Sequence, residues 1–163
     1  MIAEMIKTGD GAIARYERHW RHSVQEVWAW LTENDKISQW FSELRVEELR
    51  EEGAIVFQMP DGTMDKLTIS ELKTYSVLEF SWWENTMRFE LSPEADGCRL
   101  VLTEKLKEIT DHTPKDLAGW HVCLEVIDAL LDGRTIDSRF EEWKIWYEKY
   151  NVAVKNFSSV NAG

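Results

Sequence analysis

The chain has 163 residues, enough for one domain with a sizeable apolar core, and its 44% hydrophobic content with 9 Trp, 6 Phe and 4 Tyr excludes disorder. A net charge of −11, from 30 acidic and 19 basic residues, excludes nucleic acid and anionic membrane surfaces, since both need a Lys/Arg field. Cys98 and Cys123 lack C-x-x-C spacing and are expected as reduced, buried thiols. The first eleven residues lack the apolar run of a signal peptide, and no segment could span a bilayer, which points to the cytoplasm by elimination.

In chain order, residues 1–11 read as a flexible tail, and Ala12 to Trp20 alternates apolar and polar side chains as a strand does. Ser23-Val24-Gln25-Glu26 is a capping box, after which Val24, Val27, Trp28 and Leu31 share one helical face. Asn34 is positioned to cap a second short helix carrying Ile37, Trp40 and Phe41. A strand meander follows at 44–49, 54–59, 64–74, 77–83, 86–92 and 98–106. Turn signals fall at Gly53, Pro60-Asp61-Gly62, Glu84-Asn85 and Ala95-Asp96-Gly97.

Thr113-Pro114-Lys115-Asp116 then starts a helix with a capping hydroxyl, an early Pro and an acid. Leu117, Trp120, Leu124, Ile127 and Leu131 follow at helical spacing, and Gly133 stops it. Gly119, inside this pattern, is expected to allow a close approach of helix to sheet. A last helix begins at Ser138, with Glu141 completing a capping box, and carries Phe140, Trp143, Ile145, Trp146 and Tyr150. Residues 156–163 read as a second tail, leaving one domain over 12–155. An antiparallel sheet with helices on one face makes the class α+β.

Three stretches resemble the START-like (SRPBCC) superfamily, in its branch named for the activator of the heat-shock-protein-90 ATPase. They are Val27-Trp28-Ala29-Trp30-Leu31 with Ile37-Ser38-Gln39-Trp40-Phe41, then Leu78-Glu79-Phe80-Ser81-Trp82, then Gly119-Trp120-His121-Val122-Cys123-Leu124 with Leu130-Leu131-Asp132-Gly133. The resemblance implies a helix-grip fold, a curved antiparallel sheet around a long C-terminal helix with two short helices after the first strand. It also implies a cavity between helix and concave sheet for a small hydrophobic or amphipathic molecule. Glu104 departs from relatives, which often carry a His or another polar group there.

Strand alternation turns Leu78, Phe80 and Trp82 inward with Ile55, Phe57, Met59, Phe89, Leu91, Leu100 and Leu102. The expected lining is therefore Trp40, Phe41, Phe57, Met59, Phe80, Trp82, Phe89, Leu102, Trp120 and Leu124, with Met59, Met64 and Met87 as adaptable filling near the turns. The plain alternative is that these side chains close the core and leave no cavity. Glu104, His121 and Glu71 are the candidate polar anchors; a bulge or a register slip would turn either carboxylate to solvent, and His121 could equally be a helix-flank residue.

No metal or cofactor is expected. His19 and His22 straddle a strand-to-helix junction, His112 stands alone, and no Gly-rich phosphate loop or nucleophile elbow occurs. The acidic run from Glu47 to Glu52 reads as a solvated strand end. The preferred reading is a binding domain with no assigned reaction. A cyclase- or hydrolase-type enzyme using the same cavity and a stress-related co-chaperone domain are the alternatives, and Trp143, Trp146 and Tyr147 could mark a homodimer face.

Overall fold

The structure, a computed structural model, describes residues 1–161. Its strands are β1 (Glu4–Thr8), β2 (Gly11–Trp20), β3 (Leu44–Glu48), β4 (Ala54–Gln58), β5 (Met64–Lys73), β6 (Val77–Trp82), β7 (Asn85–Glu94) and β8 (Gly97–Leu106). The helices are α1 (Val24–Thr32), α2 (Asn34–Trp40), α3 (Thr113–Leu131) and α4 (Arg139–Asn161). The strands form one eight-stranded antiparallel sheet in the order β1-β2-β8-β7-β6-β5-β4-β3. The residues group into two compact units, Met1–Tyr16 with the chain from Lys105 onward, and Glu17–Glu104.

In the first unit, the expected N-terminal tail is a strand instead. β1 pairs antiparallel with β2, from Glu4↔Arg15 to Thr8↔Gly11, around a turn in which Gly9 takes φ +46°. A glycine adopts that conformation without steric cost, so Gly9-Asp10 closes a hairpin. Period-2 alternation buries Ala12, Ala14 and Tyr16 of β2, and the Tyr16 hydroxyl donates to the Leu117 carbonyl at 2.9 Å. The expected C-terminal tail is helix as far as Asn161; residues 162–163 of that tail lie outside the described residues.

Both ends of this helical layer show how capping competes with other bonds. Ser138 accepts from the Glu141 amide at 3.2 Å, as its spacing predicts. Thr113 does not cap α3; its hydroxyl accepts the Thr110 amide at 2.9 Å, and His112 takes the cap position without a side-chain bond. Gly119 also departs from expectation. A Cβ there would meet nothing within 4 Å, so no close approach requires a glycine.

In the second unit, Ser23 caps α1 by accepting the Glu26 amide at 3.1 Å. Asn34 is not a cap, because Glu33 precedes α2 in that role. Its amide grips β3 instead, donating to the Val46 carbonyl at 3.0 Å and accepting the Val46 amide at 2.7 Å. The β6–β7 register sets Leu78 opposite Phe89, Phe80 opposite Met87 and Trp82 opposite Asn85, so these six residues share a face. Ile55, Leu67, Ile69, Leu78, Phe80, Met87, Phe89, Leu100 and Leu102 are buried. Met64, expected with the adaptable lining, is 47% exposed.

Candidate functional site

The shared face of β6 and β7 carries the aromatic centre of the second unit. Phe80 and Phe89 stack with centroids 6.5 Å apart and planes at 27°. With Leu31, Ile37, Trp40, Leu44, Ile55 and Leu78 they surround an apolar hollow of only about 10 Å3, room for a single water. Trp40 can bury its indole there because Nε1 donates to the Trp30 carbonyl at 2.7 Å.

Half-buried rings continue this face toward the β6–β7 turn. Phe41, Phe57 and Trp82 meet edge to face with centroids 5.8 to 5.9 Å apart, and Trp83 closes on Trp82 at 4.8 Å. Trp83 is a residue the strand pattern did not single out. It sits in the turn at φ +53°, a costly conformation for a bulky side chain, and its Nε1 donates to Asp65 at 3.0 Å. Met59, expected in the lining, lies in the β4–β5 turn, where its amide bonds to the Thr63 carbonyl at 2.8 Å.

The two candidate carboxylates separate. Alternation along β8 puts Glu104 on the face of Cys98, Leu100 and Leu102, where it is 0% exposed and accepts Asn85 Nδ2 at 3.1 Å. Since Asn85 pairs with Trp82, the carboxylate belongs to the aromatic end of this face. Asn85 itself carried no signal beyond its place in a turn. Glu71 is displaced by the register shift between Ile69 and Glu71; Arg88 Nη1 bonds to it at 2.8 Å, and Lys73 stands 3.4 Å away. That hydrogen bond, with the guanidinium's charge, holds its carboxyl below the usual range against a smaller desolvation effect. Glu71 is thus a surface ion-pair residue and not an inward anchor.

In the first unit, Trp120 and Leu124 are buried on α3, and His121 is 1% exposed. His121 Nδ1 lies 2.7 Å from the Tyr150 hydroxyl and Nε2 lies 3.2 Å from Glu125, so the imidazole is held inside the helical layer. Among the described residues, no group of three or more His, Cys, Asp or Glu could hold a metal ion, and no helix is long and apolar enough to cross a membrane.

Strand pair, two short helices, antiparallel meander and long C-terminal helices define a START-like, helix-grip α+β protein. Residues 21–132, more than half the chain, match the family described as Activator of Hsp90 ATPase homolog 1-like protein, and the chain belongs to that family. A conserved protein of unknown function, EF2215 from Enterococcus faecalis, is similar at 26% identity with TM-score 0.83, covering 94% of this chain and 91% of its own. CalU16 from Micromonospora echinospora shares the fold at 19% identity and TM-score 0.70, covering 93% of each chain. The protein encoded by gene BPP1335 of Bordetella parapertussis does so at 22% and 0.70, covering 89% of this chain and 86% of its own. No curated protein matches.

Proposed function

We propose that the aromatic face of the second unit binds a small amphipathic molecule. Its apolar body lodges against Trp40, Phe80 and Phe89, and its polar end donates to the Glu104 carboxylate. The observation that carries this reading is Glu104 itself, a fully buried carboxylate on the same face as those rings. Burying a carboxyl group is expensive, and a fold keeps one in an apolar layer more readily when it has work there. The hollow of about 10 Å3 means that the guest enters by displacing the side chains that line it, Trp40, Phe80 and Phe89 among them.

The test is a matched series of octylamine, octanol and octanoate, followed by thermal shift and by native mass spectrometry of the freshly purified protein. The amine and the alcohol are expected to raise the melting temperature and the carboxylate to fail, with Glu104→Gln abolishing the difference between amine and carboxylate. If no member of the series binds and nothing co-purifies, the reading is wrong.

A further inference from the structure

At the outer edge of β1, backbone bonding groups and apolar surface lie open together. The two-residue turn at Gly9-Asp10 makes Thr8 and Gly11 a hydrogen-bonded pair, so Glu4, Ile6 and Thr8 direct their N–H and C=O groups at β2. Met5 and Lys7 direct theirs the other way, and among the described residues no group of the chain bonds to them. Alternation puts Met5 and Lys7 on the face of the buried Ala12 and Ala14, and Ile6 on the opposite face, where it is 37% exposed. Beside this edge runs an open groove of about 510 Å3, lined by residues 4–7 of β1 and by Asn156, Phe157, Val160 and Asn161 of α4. Val160 is 81% exposed there.

Charge decides what can lie along this edge. The chain carries a net charge of −11, so two copies repel over most of their surface. Here that repulsion is absent. Glu4 and Lys7 cancel, and beyond Tyr150 the only charged residue of α4 is Lys155. β1 also carries its acid near one end and its base near the other. Antiparallel pairing of two copies brings the Glu4 end of each strand to the Lys7 end of the other, whereas parallel pairing sets like charges side by side.

We propose that β1 is the contact of a two-fold homodimer, in which the β1 strands of two copies pair antiparallel about Ile6. Met5 of each copy exchanges both backbone bonds with Lys7 of the other, and Ile6 meets Ile6 on the axis in the closer, non-hydrogen-bonded position. Glu4 then stands opposite Thr8 and one position from Lys7 of the other copy. On the helical face, the Lys7 stem of each copy lies beside Met5 of the other, along the groove that Phe157 and Val160 border. The contact uses no residue of the binding face proposed above, so each stands or falls without the other.

The experiment is sedimentation equilibrium of the full-length protein from micromolar to millimolar concentration, which is expected to show monomer passing to dimer. Ile6→Lys and Ile6→Glu each place like charges on the axis, and each should raise the dimer dissociation constant roughly a hundredfold. Mixed in equal amounts, the two variants should recover a dimer, because the axis then sets Lys against Glu. Far-UV circular dichroism checks that both variants fold. In the wild type, amide exchange at Met5 and Lys7 should slow as concentration rises, with far less change at Glu4 and Ile6, whose amides already face β2. A wild type that stays monomeric across the range, a dimer indifferent to either charge, or a mixture that stays monomeric would each overturn the proposal. If a variant does not fold, the concentration dependence of exchange at Met5 and Lys7 decides alone.

Discussion

Phe89→Ala probes how rigid the aromatic face is. Phe89 is 1% exposed and stacked on Phe80 beside the hollow of about 10 Å3. Removing the ring loses about 2–3 kcal/mol of transfer free energy and about 1 kcal/mol of ring–ring interaction. If roughly 50 Å3 of the vacated space stays empty, about 24 cal/mol per Å3 adds about 1 kcal/mol more. The total, about 4–5 kcal/mol, should appear as a lower urea midpoint with unchanged slope. A loss under about 2 kcal/mol would refute the picture of a filled, interlocked face.

Gly119→Ala should stabilise the protein by about 0.5–1 kcal/mol in the same urea assay, because the site is helical and the added methyl meets no atom within 4 Å. Arg88 holds the Glu71 pKa below its ordinary value, so this pair stabilises the fold fully above the unfolded carboxylate value and ceases to do so as pH falls through the depressed folded value. Glu71→Gln should therefore be the less stable protein at neutral pH, and its stability should converge on the wild type at acid pH. Cys98 is fully buried and desolvation pushes its thiol pKa up, so it should resist iodoacetamide until the protein is denatured, as mass spectrometry of the alkylated peptides would show.

Regular periodicity made much of this architecture legible. The Ser23 and Ser138 caps, the meander and the Phe80–Trp82 alternation all follow from local chemistry that the tertiary fold leaves intact. Asn34 and Thr113 depart from their expected capping roles because both have side chains that bond backbone groups, and which groups are near depends on the fold. β1 does not stand out as a strand by itself, although Gly9-Asp10 between two apolar segments is a hairpin signal; a segment this short becomes a strand only by pairing with β2. Among the candidate anchors, Glu104 followed from simple alternation, whereas Glu71 lay just beyond a register shift that leaves no mark in composition. Asn85 and Tyr150 acquire their roles from partners 19 and 29 positions away. No spacing rule reaches that far.

The grip of Asn34 on Val46 has a consequence for how copies of this protein meet. β3 is the last strand in the sheet order, so among the described residues one side of its backbone has no strand beside it. At Val46 that side offers both a donor and an acceptor, the template on which a foreign strand could add. One carboxamide occupies both groups, as a neighbouring peptide unit would. The sheet ends on a plug made by its own chain, which discourages growth into intermolecular stacks at the cost of a single side chain.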